Sequence, residues 1–457
     1  MEEAVYRDLI GIVGPENFSD KLIDRVSYSY DGSSFSRRPD CAVWAGDTSQ
    51  ISAILRLADR QRIPVIARGA GTGISGNAVP AMGGIVLDLS RMNRILSIRI
   101  ADRLAVVQPG VVYDSLQAAL APHGFFFPPD PASGKVCTIG GNAATNAGGI
   151  RGAKYGTTRD YVLGLQVVLA GGDVMRIGAD TMKSSSGLDL VRLFVGSEGM
   201  LGIFSEITLK ISPRPAATAT ATAVFDRLEK AGDAVTAIMH SGVTPSALEL
   251  MDTTVIEMIR THSEVDLPPA AALILAETDG SSREDVEKQM AQLTDLFGAC
   301  GAKEIRIARS DAEARQLWTA RKSIGGLIGS IEYSFMPEDL TVPMSRITDY
   351  LLGCRAISGK RGLQILNFGH AGDGNFHTNI LYDPADRAHL TQLEHARYDL
   401  HRLACDLGGT LTGEHGIGMT KARFMPLEHD PVALKAMRAV KNALDPNNIL
   451  NPGKMGL

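Results

Sequence analysis

Three features are absent from this chain of 457 residues, and each absence argues against a class of function. Its five cysteines are scattered, and none lies in a C-x-x-C or ferredoxin-type run, so a cysteine-ligated zinc site or an iron–sulfur cluster is not expected. It has no run of basic residues and a net charge of −5, which argues against nucleic acid as a partner. No stretch approaches the roughly 20 apolar residues that span a bilayer.

The domain organisation can be predicted from the length of the chain and from the residues that mark its segment boundaries. The N-terminus begins Met1-Glu2-Glu3, which is acidic where a secretory signal would be basic, so we expect a cytoplasmic protein. A chain of this length exceeds one ordinary hydrophobic core. We expect a helical N-terminal segment at residues 1–35, a first domain at 36–214, a second at 215–420, and a C-terminal helix and tail at 421–457 that returns to the first domain.

The first glycine-rich loop, Gly69–Gly76, follows a predicted strand and contains the pattern G-x-G-x-x-G. A dinucleotide-binding Rossmann turn requires a helix directly after such a loop. Pro80, Gly83 and Gly84 come next instead, and then another predicted strand, so the Rossmann interpretation fails. Two interpretations remain open, a tight structural turn or a nest of backbone N–H groups that binds an anion.

A second glycine-rich segment, Thr138–Gly149, holds four glycines and short polar side chains, and it comes after the stiff run Pro128-Pro129-Asp130-Pro131. The two loops lie about 65 residues apart in the sequence. Two loops that both suit phosphate favour a long ligand with a diphosphate in its middle.

The second half of the chain contains two glycine-rich segments that carry histidines. Gly372-Asp373-Gly374-Asn375 predicts a hairpin turn between two strands, which brings His370 and His377 to face each other. Glu414 and His415 lie in a later glycine-rich loop. Two histidines and a carboxylate suit a divalent metal ion such as zinc, and a neighbouring histidine suits a general base.

A single histidine is more often a hydrogen-bonded structural residue than a ligand. Three of the ten histidines nevertheless lie in these two glycine-rich segments beside an acid, which favours the functional interpretation. We interpret three others, on predicted helices, as surface or core residues: His240, His395 and His401.

These segments resemble the flavin-binding domain of the vanillyl-alcohol oxidase type. The histidine and glutamate motifs, with the closing segment 444–454, resemble its D-lactate dehydrogenase, glycolate oxidase and D-2-hydroxyglutarate dehydrogenase branch. The resemblance runs from about residue 36 to residue 455. It implies an α+β protein with a two-subdomain FAD-binding domain at 36–214 and an α+β substrate (cap) domain with an antiparallel sheet at 215–420.

The resemblance also implies which residues bind FAD. They are Arg68, Gly69, Ala70, Gly71, Thr72, Gly73, Ser75, Gly76, Pro129, Asp130, Ser133, Thr138, Gly140, Gly141, Asn142, Ala144, Thr145, Asn146, Gly148, Gly149, Tyr155, Gly156, Glu198, Gly202, Ile203 and Asn451. Members that attach the flavin covalently carry a histidine in the first loop. This loop has alanine at position 70 and neither histidine nor cysteine, so we expect FAD to be bound non-covalently.

For the reacting centre, the resemblance implies a divalent metal, zinc before Fe²⁺ or Mn²⁺, held by His370, His377 and Glu414. It implies that His415 is the base and contacts the substrate, together with Asn379. It also implies that Arg321 grips the substrate carboxylate, although an arginine considered alone is more often a surface charge. The hydroxyglutarate enzymes place a lysine just before the segment 338–343, and this chain has none there, which favours a short monocarboxylate.

We therefore expect an FAD-dependent dehydrogenase that oxidises a small D-2-hydroxy acid to the 2-oxo acid. D-lactate is favoured over glycolate and D-2-hydroxyglutarate, with metal-assisted deprotonation and hydride transfer to flavin N5. The expected electron acceptor is an iron–sulfur subunit, an electron-transfer flavoprotein or a quinone-linked carrier, which would place the protein at the inner membrane through a partner. A homodimer is left open.

Two alternatives remain. The first is a non-catalytic FAD-binding subunit of a larger oxidase complex. The second is a non-redox flavoenzyme of the ether-lipid synthase type, which would need a pocket for a long chain.

Overall fold

The computed structural model describes residues 1–263 and 267–457. Its strands are β1 Phe18–Ser19, β2 Cys41–Trp44, β3 Val65–Arg68, β4 Ile85–Asp88, β5 Ile95–Arg99, β6 Leu104–Val107, β7 Phe125–Phe126, β8 Val162–Val168, β9 Val174–Gly178, β10 Ile203–Lys210, β11 Ser212–Pro213, β12 Ala217–Phe225, β13 Ala247–Asp252, β14 Ala272–Gly280, β15 Glu304–Ile307, β16 Ser334–Thr341, β17 Ile365–His370 and β18 Asn375–Tyr382.

The α-helices are α1 Glu3–Val13, α2 Leu22–Ser27, α3 Thr48–Gln61, α4 Tyr113–Leu120, α5 Ile139–Thr145, α6 Gly152–Tyr155, α7 Leu190–Phe194, α8 Leu228–His240, α9 Thr253–His262, α10 Arg283–Ala299, α11 Asp311–Lys322, α12 Ile324–Ile328, α13 Ile347–Arg361, α14 Arg387–Asp406, α15 Met425–Glu428 and α16 Pro431–Leu444. Across the two described ranges, no helix is long and apolar enough to cross a membrane.

The chain divides into two compact units. Unit 1 consists of Met1–Ala147, Thr157–Arg214 and Glu414–Leu457, and unit 2 consists of Gly148–Gly156 and Pro215–Gly413. The short segment Gly148–Gly156, which contains α6, therefore groups with the residues of the second half of the chain.

Unit 1 contains two main sheets. The first has the order β1-β2-β4-β3, in which β2, β4 and β3 run parallel, and α3 packs on it through an apolar face. The loop 69–84 joins the parallel neighbours β3 and β4 without an α-helix, as expected from its prolines and glycines. The second sheet, β5-β6-β10-β8-β9, is antiparallel throughout. The end of the chain returns to the first sheet, where the Val65 amide donates to the Ile449 carbonyl at 2.7 Å.

Unit 2 is built on one antiparallel sheet of seven strands in the order β15-β12-β14-β13-β17-β18-β16. One face of this sheet packs against α8, α10, α13 and α14 and forms the largest part of the unit's core. On β13, Leu248 and Leu250 point into this core, so Glu249 between them points to the opposite face. The predicted antiparallel sheet is thus present, and the α+β class is confirmed.

Candidate functional site

The two predicted metal histidines lie on neighbouring strands of unit 2. β17 and β18 form an antiparallel hairpin, with the predicted turn between His370 and Asn375. His370 pairs with Asn375 in the register and His377 pairs with Phe368, so the histidines are offset rather than directly opposite. Their ring centroids are nevertheless only 5.0 Å apart and their rings are perpendicular. The hairpin therefore brings the two imidazole rings together on one face of the sheet.

Glu249 joins one of these histidines to the predicted substrate arginine. Its Oε1 lies 2.5 Å from Nδ1 of His370, the residue that pairs with it across β13 and β17. Its Oε2 accepts a hydrogen bond from Nε of Arg321 at 2.7 Å and lies 2.5 Å from Nη2 of the same side chain. All three side chains are buried. One carboxylate therefore contacts both the predicted metal ligand His370 and the predicted substrate-binding residue Arg321.

The charge state of Glu249 follows from these partners. Burial alone raises the pKa of this carboxyl group, but the Arg321 guanidinium and His370 outweigh the effect and lower its pKa to about 2. The group is therefore ionised across the physiological range. A buried carboxylate with a paired guanidinium is stable only while both partners remain, because either one alone would be an uncompensated buried charge.

Arg321 is fixed by more than its ion pair. It lies near the end of α11, and its guanidinium carbon is 4.7 Å from the centroid of the Phe368 ring. A planar guanidinium that stacks on a ring and pairs along one edge has little rotational freedom. Arg321 is therefore a rigid buried cation and not a surface charge.

Asp339 lies beside the other histidine. It lies on β16 opposite His377, and its Oδ1 is 3.7 Å from Nδ1 of that ring. The same carboxylate accepts hydrogen bonds from the Asn375 amide, the Thr412 hydroxyl and the Gly413 backbone N–H, at 2.7–3.0 Å. Asp339 therefore fixes the chain at the residue directly before Glu414.

Asn379, the other predicted substrate contact, lies two residues after His377 on β18. It is buried, and its amide nitrogen donates to the His377 carbonyl at 3.3 Å. Because residues two apart on a strand share a face, Asn379 faces the same side of the sheet as His377.

Glu414 and His415 belong to unit 1 and are half-buried, with Nε2 of His415 lying 3.8 Å from Oε1 of Glu414. The backbone directly after them is held by Glu198. This wholly buried carboxylate accepts the Ile417 amide at 2.7 Å and the Gly418 amide at 2.9 Å. The resemblance assigns Glu198 to FAD, and in the structure its carboxylate oxygens accept hydrogen bonds from the backbone of the loop that carries the predicted base.

The first glycine-rich loop and the start of the second glycine-rich segment lie against each other in unit 1. A Cβ atom on Gly69 would be 2.2 Å from the Thr138 hydroxyl oxygen, and one on Gly140 would be 2.5 Å from Pro109 Cβ. Gly71 has φ +69°, a conformation that favours glycine. Thr138 caps the start of α5, where its hydroxyl accepts from the Gly141 amide. This arrangement of bare backbone, with Ala70 and Thr72 exposed, fits a diphosphate-bearing ligand such as FAD.

Other residues predicted to bind FAD also converge in unit 1. The Glu198 amide donates to the Ala144 carbonyl at 2.8 Å, and the Asn451 side chain donates to the carbonyls of Asn77 and Glu198 at 2.9 and 2.7 Å. The C-terminal tail and the segment 196–202 thereby contact the second glycine-rich segment and the residue directly after the first loop.

Some predicted FAD residues have a different surrounding. Gly148, Gly149, Tyr155 and Gly156 belong to unit 2, where the Tyr155 hydroxyl donates to Asp279 at 2.6 Å. Gly202 lies in the core of unit 1, where a Cβ would be 2.4 Å from Val167. For Gly202 the structure therefore shows a packing requirement.

Two family models match this chain. The FAD binding domain matches residues 39–178, and the C-terminal domain of FAD linked oxidases matches residues 214–455. The chain belongs to the FAD-linked oxidase family. The predicted family is thereby confirmed, and the first match covers both glycine loops while the second covers the histidine hairpin and its supporting acids.

Relatives within the FAD-linked oxidase family carry two activities in their names. Glycolate oxidase subunit GlcD of Bacillus subtilis (strain 168) is 40% identical over 453 residues, which are 99% of this chain and 96% of that protein. D-lactate dehydrogenase of Anaerostipes hadrus is 34% identical over 92% of this chain and 90% of that protein. This chain is an FAD-linked oxidoreductase related to both.

A solved structure supports the fold of this family member. p-Cresol methylhydroxylase with substrate bound matches with a TM-score of 0.82 over 100% of this chain and 96% of that chain, at 19% identity. The vanillyl-alcohol oxidase type fold that the sequence predicted is thus confirmed.

Proposed function

We propose that this protein is an FAD-dependent dehydrogenase that oxidises a small D-2-hydroxy acid to the corresponding 2-oxo acid. The observation that carries the proposal is the single carboxylate of Glu249, which holds His370 at 2.5 Å and Arg321 at 2.5–2.7 Å on one face of the sheet. The first partner suits a metal ion and the second suits a substrate carboxylate. The names of the relatives, a glycolate oxidase subunit and a D-lactate dehydrogenase, agree with this chemistry.

Within this proposal, FAD is held non-covalently, mainly by residues of unit 1, and unit 2 supplies Arg321 and Asn379 for substrate binding. The loop 68–76 and the segment 138–149 carry the diphosphate on backbone N–H groups. Bound FAD supplies the two-electron acceptor for the reaction. The residues of the chain perform only binding, orientation and proton transfer.

The metal ligands in this proposal are His370, His377 and Glu414, as the resemblance implies. A divalent ion, with zinc favoured, would act as a Lewis acid on the substrate hydroxyl. His415 removes the hydroxyl proton, while Arg321 binds the substrate carboxylate and Asn379 contacts the substrate.

The strand beside these groups supports a short monocarboxylate as substrate. On β16 the residues that face the same side as Asp339 are Pro337, opposite Asn379, and Phe335, opposite Leu381. Neither carries a positive charge, so a second carboxylate would have no cation on this strand. We therefore favour D-lactate, followed by glycolate and then D-2-hydroxyglutarate.

The electron acceptor in this proposal is a second protein or a quinone-linked carrier. The relative in Bacillus subtilis is named as a subunit, which is consistent with a partner. An iron–sulfur subunit or an electron-transfer flavoprotein would receive the electrons from reduced FAD.

The decisive experiment is anaerobic mixing of the purified holoprotein with D-lactate, L-lactate, glycolate and D-2-hydroxyglutarate while the flavin absorbance is followed. We expect rapid bleaching by D-lactate, slower bleaching by the other D-acid and glycolate, and none by L-lactate. Chelation should slow the bleaching, and added Zn²⁺ should restore it. If no 2-hydroxy acid bleaches the flavin, the proposal is wrong and a non-catalytic FAD-binding subunit becomes the better explanation.

A further inference from the structure

Glu249 binds two other side chains at once, His370 and Arg321. Its side chain is completely buried on β13, and each carboxylate oxygen has its own partner. Oε1 lies 2.5 Å from His370 Nδ1, and Oε2 lies 2.7 Å from Arg321 Nε and 2.5 Å from Nη2. Glu249, His370 and Arg321 lie on β13, β17 and α11. Arg321 follows Glu249 by 72 positions in the sequence, and His370 follows it by 121.

The bond to His370 determines which ring nitrogen can serve a metal. A histidine that donates Nδ1–H to a carboxylate presents Nε2 as the ligand atom, with its tautomer and ring orientation fixed. Loss of such a supporting carboxylate typically lowers metal affinity by about 10–100-fold.

The bond to Arg321 determines which edge of the guanidinium can serve a substrate. Glu249 occupies the edge formed by Nε and Nη2. The edge formed by Nη1 and Nη2 is then the one that a substrate carboxylate can engage, because guanidinium pairing is planar and bidentate. The ring of Phe368, 4.7 Å from the guanidinium carbon, limits rotation out of this plane.

We propose that Glu249 is a positioning residue that sets the metal-binding tautomer of His370 and the orientation of Arg321 at the same time. This inference rests on the proposed function, because it assigns His370 to a metal and Arg321 to the substrate carboxylate. It adds that metal binding and substrate binding both depend on the carboxylate of Glu249. A change at Glu249 therefore weakens both metal and substrate binding, whereas a change at either partner weakens mainly one.

The test compares Glu249→Gln with a matched control, Asp252→Asn. Asp252 lies on the same strand and is buried, but it caps α9 and accepts from Asn367, so it contacts neither His370 nor Arg321. Each purified holoprotein is stripped of metal and titrated with Zn²⁺ against a chromophoric chelator, and the KM for D-lactate is measured separately. FAD content and the thermal midpoint are recorded for both variants.

We expect Glu249→Gln to lower Zn²⁺ affinity about 10–100-fold and to raise KM for D-lactate by at least a similar order, with FAD content unchanged. Asp252→Asn should lower the thermal midpoint and leave Zn²⁺ affinity and KM at wild-type values. In a His370→Ala background, Glu249→Gln should cause no further loss of Zn²⁺ affinity while still raising KM. A Glu249→Gln protein that loses only thermal stability would overturn the inference.

Two measurements keep this inference separate from the proposed function. If the wild-type protein itself binds no metal, the proposed metal role fails, whereas wild-type binding with an unaffected Glu249→Gln variant rejects only the positioning role. If the variant does not fold, nitrogen-15 NMR of histidine in the metal-free wild-type protein decides. We expect His370 to carry its proton on Nδ1, and a neutral ring protonated on Nε2 would reject the inference.

Discussion

The Glu198 carboxylate accepts the backbone amide of Ile417 at 2.7 Å, and it is wholly buried in unit 1. Ile417 lies two residues after His415, the proposed base. A buried acid more than 200 positions earlier in the chain therefore fixes the backbone beside that base. The amide of Gly418, which donates at 2.9 Å, completes the pair.

Glu198→Gln should therefore impair both stability and the proton-transfer step. A glutamine can accept through only one oxygen and directs its amide nitrogen at a backbone donor, which should cost about 1–3 kcal/mol of the free energy of unfolding. The rate of flavin reduction by D-lactate should fall as the loop loses its anchor. Urea unfolding and stopped-flow flavin absorbance measure the two effects.

The control for this change is Glu206→Gln. Glu206 is half-buried in the same unit and pairs with the exposed Arg176 at 2.7 Å, an arrangement whose loss typically changes stability by less than about 1 kcal/mol. Equal effects of the two variants would show that Glu198 has no special role in the loop.

The hairpin with its two histidines could be predicted from the sequence because its cause is local. A glycine-rich turn between two β-forming runs determines a hairpin, and the period of two determines which residues share a face. Gly69–Gly76 and Thr138–Gly149 could be recognised as backbone-exposing segments for the same reason. The Rossmann interpretation could also be rejected from the sequence, because the test required only the residues directly after the first loop.

The supporting acids could not be predicted, because each acts at a long distance along the chain. Glu249 and His370 are 121 positions apart and meet only through the pairing of β13 with β17. Asp339 meets Thr412 across 73 positions. The one available signal was local: Glu249 is a charged residue in an otherwise apolar run, Ala247–Met251, and a buried charge requires a partner.

Asp279→Asn should weaken FAD retention. In unit 2 this buried carboxylate pairs with Lys154 and accepts the Tyr155 hydroxyl at 2.6 Å, so it anchors the segment 148–156 that the resemblance assigns to FAD. Loss of the charge should raise the FAD dissociation constant about tenfold, equivalent to about 1.4 kcal/mol. Recovery of flavin fluorescence on dilution measures the change.

Asp226→Asn is the matched control for that experiment. Asp226 is also in unit 2 and pairs with Lys230 and Lys303 at 2.9 and 3.2 Å, but it is exposed. FAD retention should stay at the wild-type value in this variant. If Asp279→Asn also retains FAD normally, the segment 148–156 does not depend on its anchor for cofactor binding.

His415→Ala should slow flavin reduction without releasing the flavin. Removal of a general base typically costs about 10²–10⁴-fold in rate, and His415 is not among the residues expected to hold the diphosphate. Rapid mixing with D-lactate gives the reduction rate, and bound FAD per protein gives retention. His395→Ala, at an exposed position of α14, should change neither quantity. Parallel losses of rate and FAD would instead assign His415 a structural role.

Lys454 makes the stability of unit 1 depend on pH. Burial lowers the pKa of this lysine from 10.5 to about 8, and its ammonium donates to the Val79 carbonyl at 2.7 Å. Below about pH 8 the lysine is charged in both states and the folded protein bears the full cost of burying that charge, about 3 kcal/mol. Between about pH 8 and 10.5 only the unfolded chain holds the proton, so this cost disappears as the pH rises.

Lys454→Met removes this pH dependence and serves as its test. As the pH rises from 7.5 to 9.5, the wild type should gain stability relative to the Lys454→Met variant. The reason is that the wild type loses the cost of burying a charged lysine, whereas methionine never carries that cost. The lost bond to Val79 adds an offset that does not depend on pH. Urea unfolding at three pH values measures the trend, with Lys435→Met at an exposed position of α16 as the control. A difference that stays constant over this range would mean that Lys454 titrates as an ordinary surface lysine and that its burial is relieved by solvent.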